Sequence, residues 1–191
     1  LRLQPLRDPG RTILMRPSAR GSEAGEPAKA AAARLLEDLS RRGWTAALAE
    51  SCTGGLVSAA LTSIPGASDH FWGAVVSYAN EAKVKVLSVP RDVLERHGAV
   101  SAETVRAMAR GVLDLSGADV SASVSGIAGP GGGSPEKPVG TVWIGLACRD
   151  GRSRELRLDL TGGRDRIRGD SALRVLGELR SFVEGGSAGS S

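Results

Sequence analysis

Aromatic residues are scarce in this chain: three tryptophans, two phenylalanines and one tyrosine among 191 residues. Six rings are too few for base stacking to be the default mode of recognition, and no lysine- or arginine-rich stripe runs through the body. A nucleic-acid-binding face is therefore not indicated. No apolar run approaches the roughly 18 residues of a membrane span, which argues against a membrane partner. Cysteine is equally sparse. Cys52 and Cys148 form neither a CxxC pair nor a disulfide-dense pattern, which fits a reducing, cytoplasmic setting and argues against a structural metal. His70 and His97 stand far apart without ligand spacing and read as surface or loop residues.

Acidic residues are nearly missing from one segment. Residues 1–22 hold five arginines and a single aspartate, a net charge of +4 that equals the charge of the whole chain, so residues 23–191 are neutral. With Pro5, Pro9, Pro17 and Pro27 and no sustained periodicity, residues 1–27 read as a disordered basic extension, and the Gly/Ser-rich residues 185–191 as a flexible tail. The extension lacks the amphipathic helix of a transit peptide. Residues 28–184 are left as one domain, long enough for a real core.

Within that domain, apolar runs and breakers alternate. Helices are expected over 28–42, from about 54 to 63, over 80–87 with Asn80 as cap, over 91–97, from Ser101 to about 116, and over about 164–183. The last of these takes Ile167, Leu173, Val175, Leu176 and Leu179 as its apolar positions. Strands are expected over 44–49, 71–78, 118–125, 139–148 and 152–160, the second buried on both faces near its middle. Helices between the early strands imply parallel pairing, while Asp150-Gly151 signals a hairpin and an antiparallel neighbour. The result is an α/β fold: a three-layer α/β/α sandwich around a mixed, mostly parallel sheet of about five strands. Loops following the first three strands would then gather at their carboxyl ends, where open α/β sheets bind ligands.

The first of those loops, Glu50-Ser51-Cys52-Thr53-Gly54-Gly55, turns directly from a strand into a helix. Ser51 or Thr53 there is either a helix cap or part of an active site, with helix N–H groups suited to an anion or an oxyanion. The second brings Tyr78, Asn80, Glu81 and Lys83. With no well-placed histidine, Lys83 is the candidate base for Ser51, provided partial burial depresses its pKa; otherwise it is a solvated helix lysine. Cys52 is a rival nucleophile, unless it points inward as a small buried residue. The third loop, residues 126–133, is glycine-rich and leaves its backbone open to close approach by a ligand. It is not a Walker A loop, since no Gly-Lys-Ser/Thr follows, and no GxGxxG stands directly after the first strand.

Four stretches taken in order, Ala49–Gly55, Ser77–Lys83, Gly98–Ser101 and Ser125–Val142, resemble the CinA C-terminal family across about residues 28–183. The resemblance implies a nicotinamide-nucleotide amidase that hydrolyses nicotinamide mononucleotide (NMN) to nicotinate mononucleotide and ammonia by a Ser/Lys mechanism, with neither metal nor cofactor. It implies Ser51 as nucleophile, Lys83 as general base and Tyr78 as assisting hydroxyl. Substrate contacts are implied at Thr53, Gly54, Gly55, Ser68, Gly126, Ala128, Gly129 and Arg164, the arginine taking the phosphate. The expected assembly is a homodimer, and the short basic segment before residue 28 implies the stand-alone form of the family. A catalytically silent nucleotide-binding or regulatory module is the alternative.

Overall fold

The structure is a computed structural model that describes residues 25–185. The basic segment up to residue 24 and the tail from 186 lie outside the described residues, so the expectations for them concern nothing below. The boundary at 27 moves, because helix α1 spans Gly25–Arg42 and takes Pro27 into its first turn. Proline is tolerated there because those N–H groups have no partner within the helix.

The remaining elements follow in the order β1 (Ala46–Glu50), α2 (Leu56–Thr62), a single 3-10 turn (Ala67–Asp69), β2 (Phe71–Val76), α3 (Asn80–Leu87) and α4 (Arg91–His97). They continue with α5 (Ala102–Ser116), β3 (Val120–Gly126), β4 (Thr141–Cys148), β5 (Ser153–Asp159) and α6 (Arg164–Glu184). The five strands form one sheet in the order β2-β1-β3-β4-β5. Strand β1 pairs in parallel with β2 and β3, and β4 runs antiparallel to both β3 and β5. Four strands thus point one way and β4 alone points back, as the Asp150-Gly151 hairpin requires.

The two-residue period of the strands sorts the layers. Ala46 and Leu48 of β1 and Val120, Ala122 and Val124 of β3 face a core shared with α1, α2 and α6. Ala47 and Ala49 face the other side, against Leu87 of α3 and Met108 and Val112 of α5. On that side β3 presents serines, and each donates its hydroxyl to a main-chain carbonyl: Ser121 to Ala109, Ser123 to Val105 and Ser125 to Ala99. Small residues let α5 lie close on the sheet, and the carbonyls satisfy hydroxyls that would otherwise be buried unpaired. Gly145 of β4 marks the tightest approach, since a Cβ there would sit 2.5 Å from the Val105 carbonyl oxygen. Gly145→Ala is expected to lower stability by about 2 kcal/mol, the usual cost of overpacking, and to shift the urea midpoint accordingly.

Three local expectations are corrected. Strand β2 is an edge strand rather than a strand buried on both faces, and Trp72 on it is 52% exposed. Helix α3 is entered through Ala79 in an extended conformation with no side-chain cap, and Asn80 is its exposed first residue. Leu173 points outward on α6, while Phe182 and Val183 join Ile167, Val175, Leu176 and Leu179 in the buried face.

Candidate active site

The carboxyl ends of the parallel strands deliver three loops to one edge, where a cavity of about 280 Å³ opens. That is near the small end of ligand sites, which run from roughly 300 to 1,000 Å³. Its walls include Ser51, Lys83, Tyr78, Arg164 and the main chain of residues 125–129. Ser51 stands one residue beyond β1, and its N–H donates to the carbonyl of Val124 on β3, which seats it at the strand end.

Lys83 is the largest fully buried side chain in the molecule as described, 1% exposed. It occupies the inward stripe of α3, one turn ahead of Leu87, where an apolar residue would ordinarily be found. Its Nζ lies 3.2 Å from Ser51 Oγ, 2.7 Å from the carbonyl oxygen of Ser77 and 3.4 Å from that of Tyr78. Burial pushes the amine below its ordinary lysine pKa, opposed in part by the thiol of Cys52. The three oxygens accommodate a neutral amine, which can donate its two hydrogens to the two carbonyls and turn its lone pair to the hydroxyl of Ser51. Cys52 also borders the cavity, but it packs into the core, and burial pushes its thiol up to about 11, which disfavours the thiolate a cysteine nucleophile needs.

The sign of the Lys83 shift sets a pH dependence. Between the depressed folded pKa and the ordinary value the unfolded chain binds more protons than the folded one, so stability rises with pH across that window. Any reaction using the lone pair gains rate in the same direction. We expect kcat/KM to climb with pH and level off below pH 10.5, the ordinary lysine value. A pH–rate profile lacking that ascending limb would contradict the assignment of Lys83.

Helix α2 does not offer its N-terminus to a ligand. The buried carboxylate of Glu50 occupies that end, accepting from the N–H groups of Gly55 (2.9 Å), Val57 (3.2 Å) and Ser58 (2.8 Å) and from the Thr53 hydroxyl (2.7 Å). Thr53, Gly54 and Gly55, where substrate contact is expected, are not brought to the cavity. Thr53 is fully buried against Glu50, Gly55 is the N-cap residue and gives its N–H to Glu50, and Gly54 faces Arg168. None of the three lines the cavity.

Ser68 is not brought to the cavity either. It lies exposed in the 3-10 turn before β2, level with the start of β1, whereas the cavity opens at the strands' far ends. A strand of six residues separates the two positions by about 20 Å at 3.3 Å per residue. Tyr78 does line the cavity, but its carbonyl rather than its hydroxyl approaches Lys83. The phenol lies at the exposed rim, where it accepts from Nη2 of Arg164 at 3.2 Å. Arg164 also donates through Nη1 to the carbonyl of Gly129, 2.7 Å away, and so ties the first turn of α6 to the glycine loop.

Gly126, Ala128, Gly129 and Arg164 line the cavity, and Cys52, Ala99, Val100, Ser125, Ile127, Gly131 and Gly132 join them. Ser125 was within reach of sequence reasoning: it continues the alternation of Ser121 and Ser123 to the strand end, and its hydroxyl holds the Ala99 segment in the wall.

Over 147 residues the chain is 49% identical to a protein of Enterobacter agglomerans named nicotinamide-nucleotide amidohydrolase PncC, covering 76% of this chain and 90% of that one. A CinA-like protein of Thermotoga maritima is 47% identical over 152 residues, 80% of this chain but 36% of its own length. The chain thus spans about a third of several longer curated relatives it matches. Among solved structures, the competence/damage inducible protein CihA of Agrobacterium tumefaciens superposes with a TM-score of 0.80 at 39% identity, covering 82% of this chain and 95% of that one. Among the described residues no helix is long and apolar enough to cross a membrane. Residues 28–183, the span containing the sheet, the Ser51–Lys83 pair and the glycine loop, match the CinA C-terminal domain, and the chain belongs to that family.

Proposed function

We propose that the protein is an amidohydrolase that converts NMN to nicotinate mononucleotide and ammonia through Ser51 and Lys83. The observation that carries the reading is the buried Lys83 amine, held by two carbonyls 3.2 Å from Ser51 Oγ at the floor of the cavity. Ser51 Oγ attacks the carboxamide carbon while its proton passes to Lys83 Nζ. The tetrahedral intermediate collapses with cleavage of the C–N bond, and Lys83 returns the proton to the departing ammonia. Water then attacks the Ser51 ester, giving a proton to Lys83; the bond from the acyl carbon to Ser51 Oγ breaks, Lys83 returns that proton to Ser51, and the acid leaves as the carboxylate after losing its own proton to solvent. Arg164 and the backbone of 126–132 suit a ribose phosphate, the guanidinium by paired hydrogen bonds. The name carried by the Enterobacter agglomerans relative supports the same substrate class.

The test is incubation with NMN, following ammonia and nicotinate mononucleotide together. Nicotinamide riboside, which lacks the phosphate, serves as the control for recognition at Arg164. Turnover of NMN with much weaker turnover of the riboside is expected. Tight NMN binding without product would replace the amidase with a silent nucleotide-binding module.

A further inference from the structure

One turn beyond Arg164 on α6, Arg168 reaches toward the opposite wall of the site. Its Nε donates to the carbonyl of Cys52 at 3.1 Å and its Nη2 to the carbonyl of Thr53 at 2.9 Å. Both carbonyls belong to the turn that carries the nucleophile. In a trans peptide the C=O of one residue and the N–H of the next point in opposite directions. The Thr53 carbonyl shares its peptide with the Gly54 N–H, which donates to the carbonyl of Ser51 at 3.1 Å. The Ser51 carbonyl shares its peptide with the Cys52 N–H. An unbroken chain therefore runs from the Arg168 guanidinium through two peptide units to the N–H that directly follows the nucleophile. Charge at one end of such a chain polarises each bond along it.

Most of the other N–H groups at this end of α2 have partners: that of Gly54 goes to the Ser51 carbonyl and that of Leu56 to the Thr53 carbonyl. Glu50 takes those of Gly55, Val57 and Ser58. An oxyanion formed by attack of Ser51 would therefore draw its main-chain donor from the Cys52 or Thr53 N–H, not from the helix dipole. The fit of Arg168 is close: a Cβ on Gly54, whose φ is +61°, would stand 3.2 Å from Nη2. The nearest carboxylate, Asp165, is 3.9 Å away and almost fully exposed, so it competes little for the guanidinium.

We propose that Arg168 is a positioning residue for catalysis: by bridging the Cys52 and Thr53 carbonyls it orients and polarises the Cys52 N–H as an oxyanion donor, and so governs kcat rather than substrate affinity. The inference rests on the serine-amidase reading of the site.

Two assays on the full chain separate the two claims. In the first, NMN turnover is measured for wild type, Arg168→Met and Arg168→Lys. Arg168→Met is expected to lose about 30-fold in kcat with KM changed less than about 3-fold, and Arg168→Lys, which keeps the charge but not the paired donors, to lose less. Millimolar guanidinium added to Arg168→Met should recover part of the loss, which it would not do for a merely structural defect. In the second, methanesulfonyl fluoride is used as a small probe of Ser51. The Ser51 oxygen–sulfur bond forms, the sulfur–fluoride bond breaks, fluoride leaves and the proton passes to Lys83. Mass spectrometry should find labelling at Ser51 in wild type and slower labelling in Arg168→Met.

Labelling of wild type without NMN turnover would sink the substrate assignment and leave Arg168 to be judged by labelling rate alone. A folded Arg168→Met with unchanged kcat and labelling rate overturns the inference, as does a wild type that fails to label at Ser51. If Arg168→Met does not fold, Arg168→Lys decides by the same two rates.

Discussion

Lys83→Met is expected to lower kcat for NMN by about 10⁴-fold, the scale seen when an essential base is removed from a covalent hydrolase. Methionine is close in length, flexible and apolar, so it fills the buried slot on α3 beside Leu87 without leaving a large cavity. What it lacks is the lone pair 3.2 Å from Ser51 Oγ. Because nucleophile and base act as one unit, the double variant Ser51→Ala/Lys83→Met should be no slower than either single variant. Steady-state ammonia release, with circular dichroism to verify folding, is the measurement. Turnover within tenfold of wild type in folded Lys83→Met would remove Lys83 from the mechanism.

Glu50→Ala should have the largest effect on stability. The wild-type carboxylate is fully buried and satisfies three backbone N–H groups and the Thr53 hydroxyl at once. Removing it strands four donors in the interior beside the positive end of α2. Each unsatisfied buried donor costs about 1–3 kcal/mol, and partial rescue by entering water keeps the total near 4 kcal/mol. For a domain of this size that corresponds to a melting temperature lower by about 12 °C. The turn holding Ser51 would slacken with it, so activity should fall even at temperatures where the variant is folded. Urea unfolding reads the stability directly, and a loss under about 1 kcal/mol would mean that the carboxylate is not holding this turn together.

Much of this arrangement was legible in the sequence because local rules and tertiary packing agree. The strands expected over 44–49 and 118–125, the Asp150-Gly151 hairpin and the helix expected over about 164–183 each lie within two residues of where the fold places them. Lys83 was legible for a subtler reason. With no well-placed histidine it stands out as a candidate base, with a solvated helix lysine as the alternative, and the structure adds its place on the inward stripe four residues before Leu87.

What escaped the sequence depended on direction and strand order. The run Phe71–Tyr78 is apolar enough for a central strand, yet apolarity does not fix a strand's place in a sheet, and the crossovers put β2 at the edge. Ser68 was placed in the site by resemblance, but it precedes β2 and therefore sits at the sheet's other end. Thr53, Gly54 and Gly55 follow the nucleophile directly. Adjacency in sequence does not say where an N–H points, and Glu50, within the same motif, claims that of Gly55 and the hydroxyl of Thr53. Arg168 is legible by spacing alone: four residues after Arg164 on one helix, it shares a face with it.

The central claim is that Ser51 becomes covalently bonded to the substrate's carbonyl carbon while Lys83 carries the proton. Rapid acid quenching of the enzyme during turnover of NMN, followed by peptide mass spectrometry, tests it most directly. The account predicts an ester of the nicotinate nucleotide on the peptide containing Ser51, formed with a burst of ammonia and absent from Ser51→Ala. Undiminished ammonia release by Ser51→Ala, with no adduct on the wild-type peptide, would contradict it.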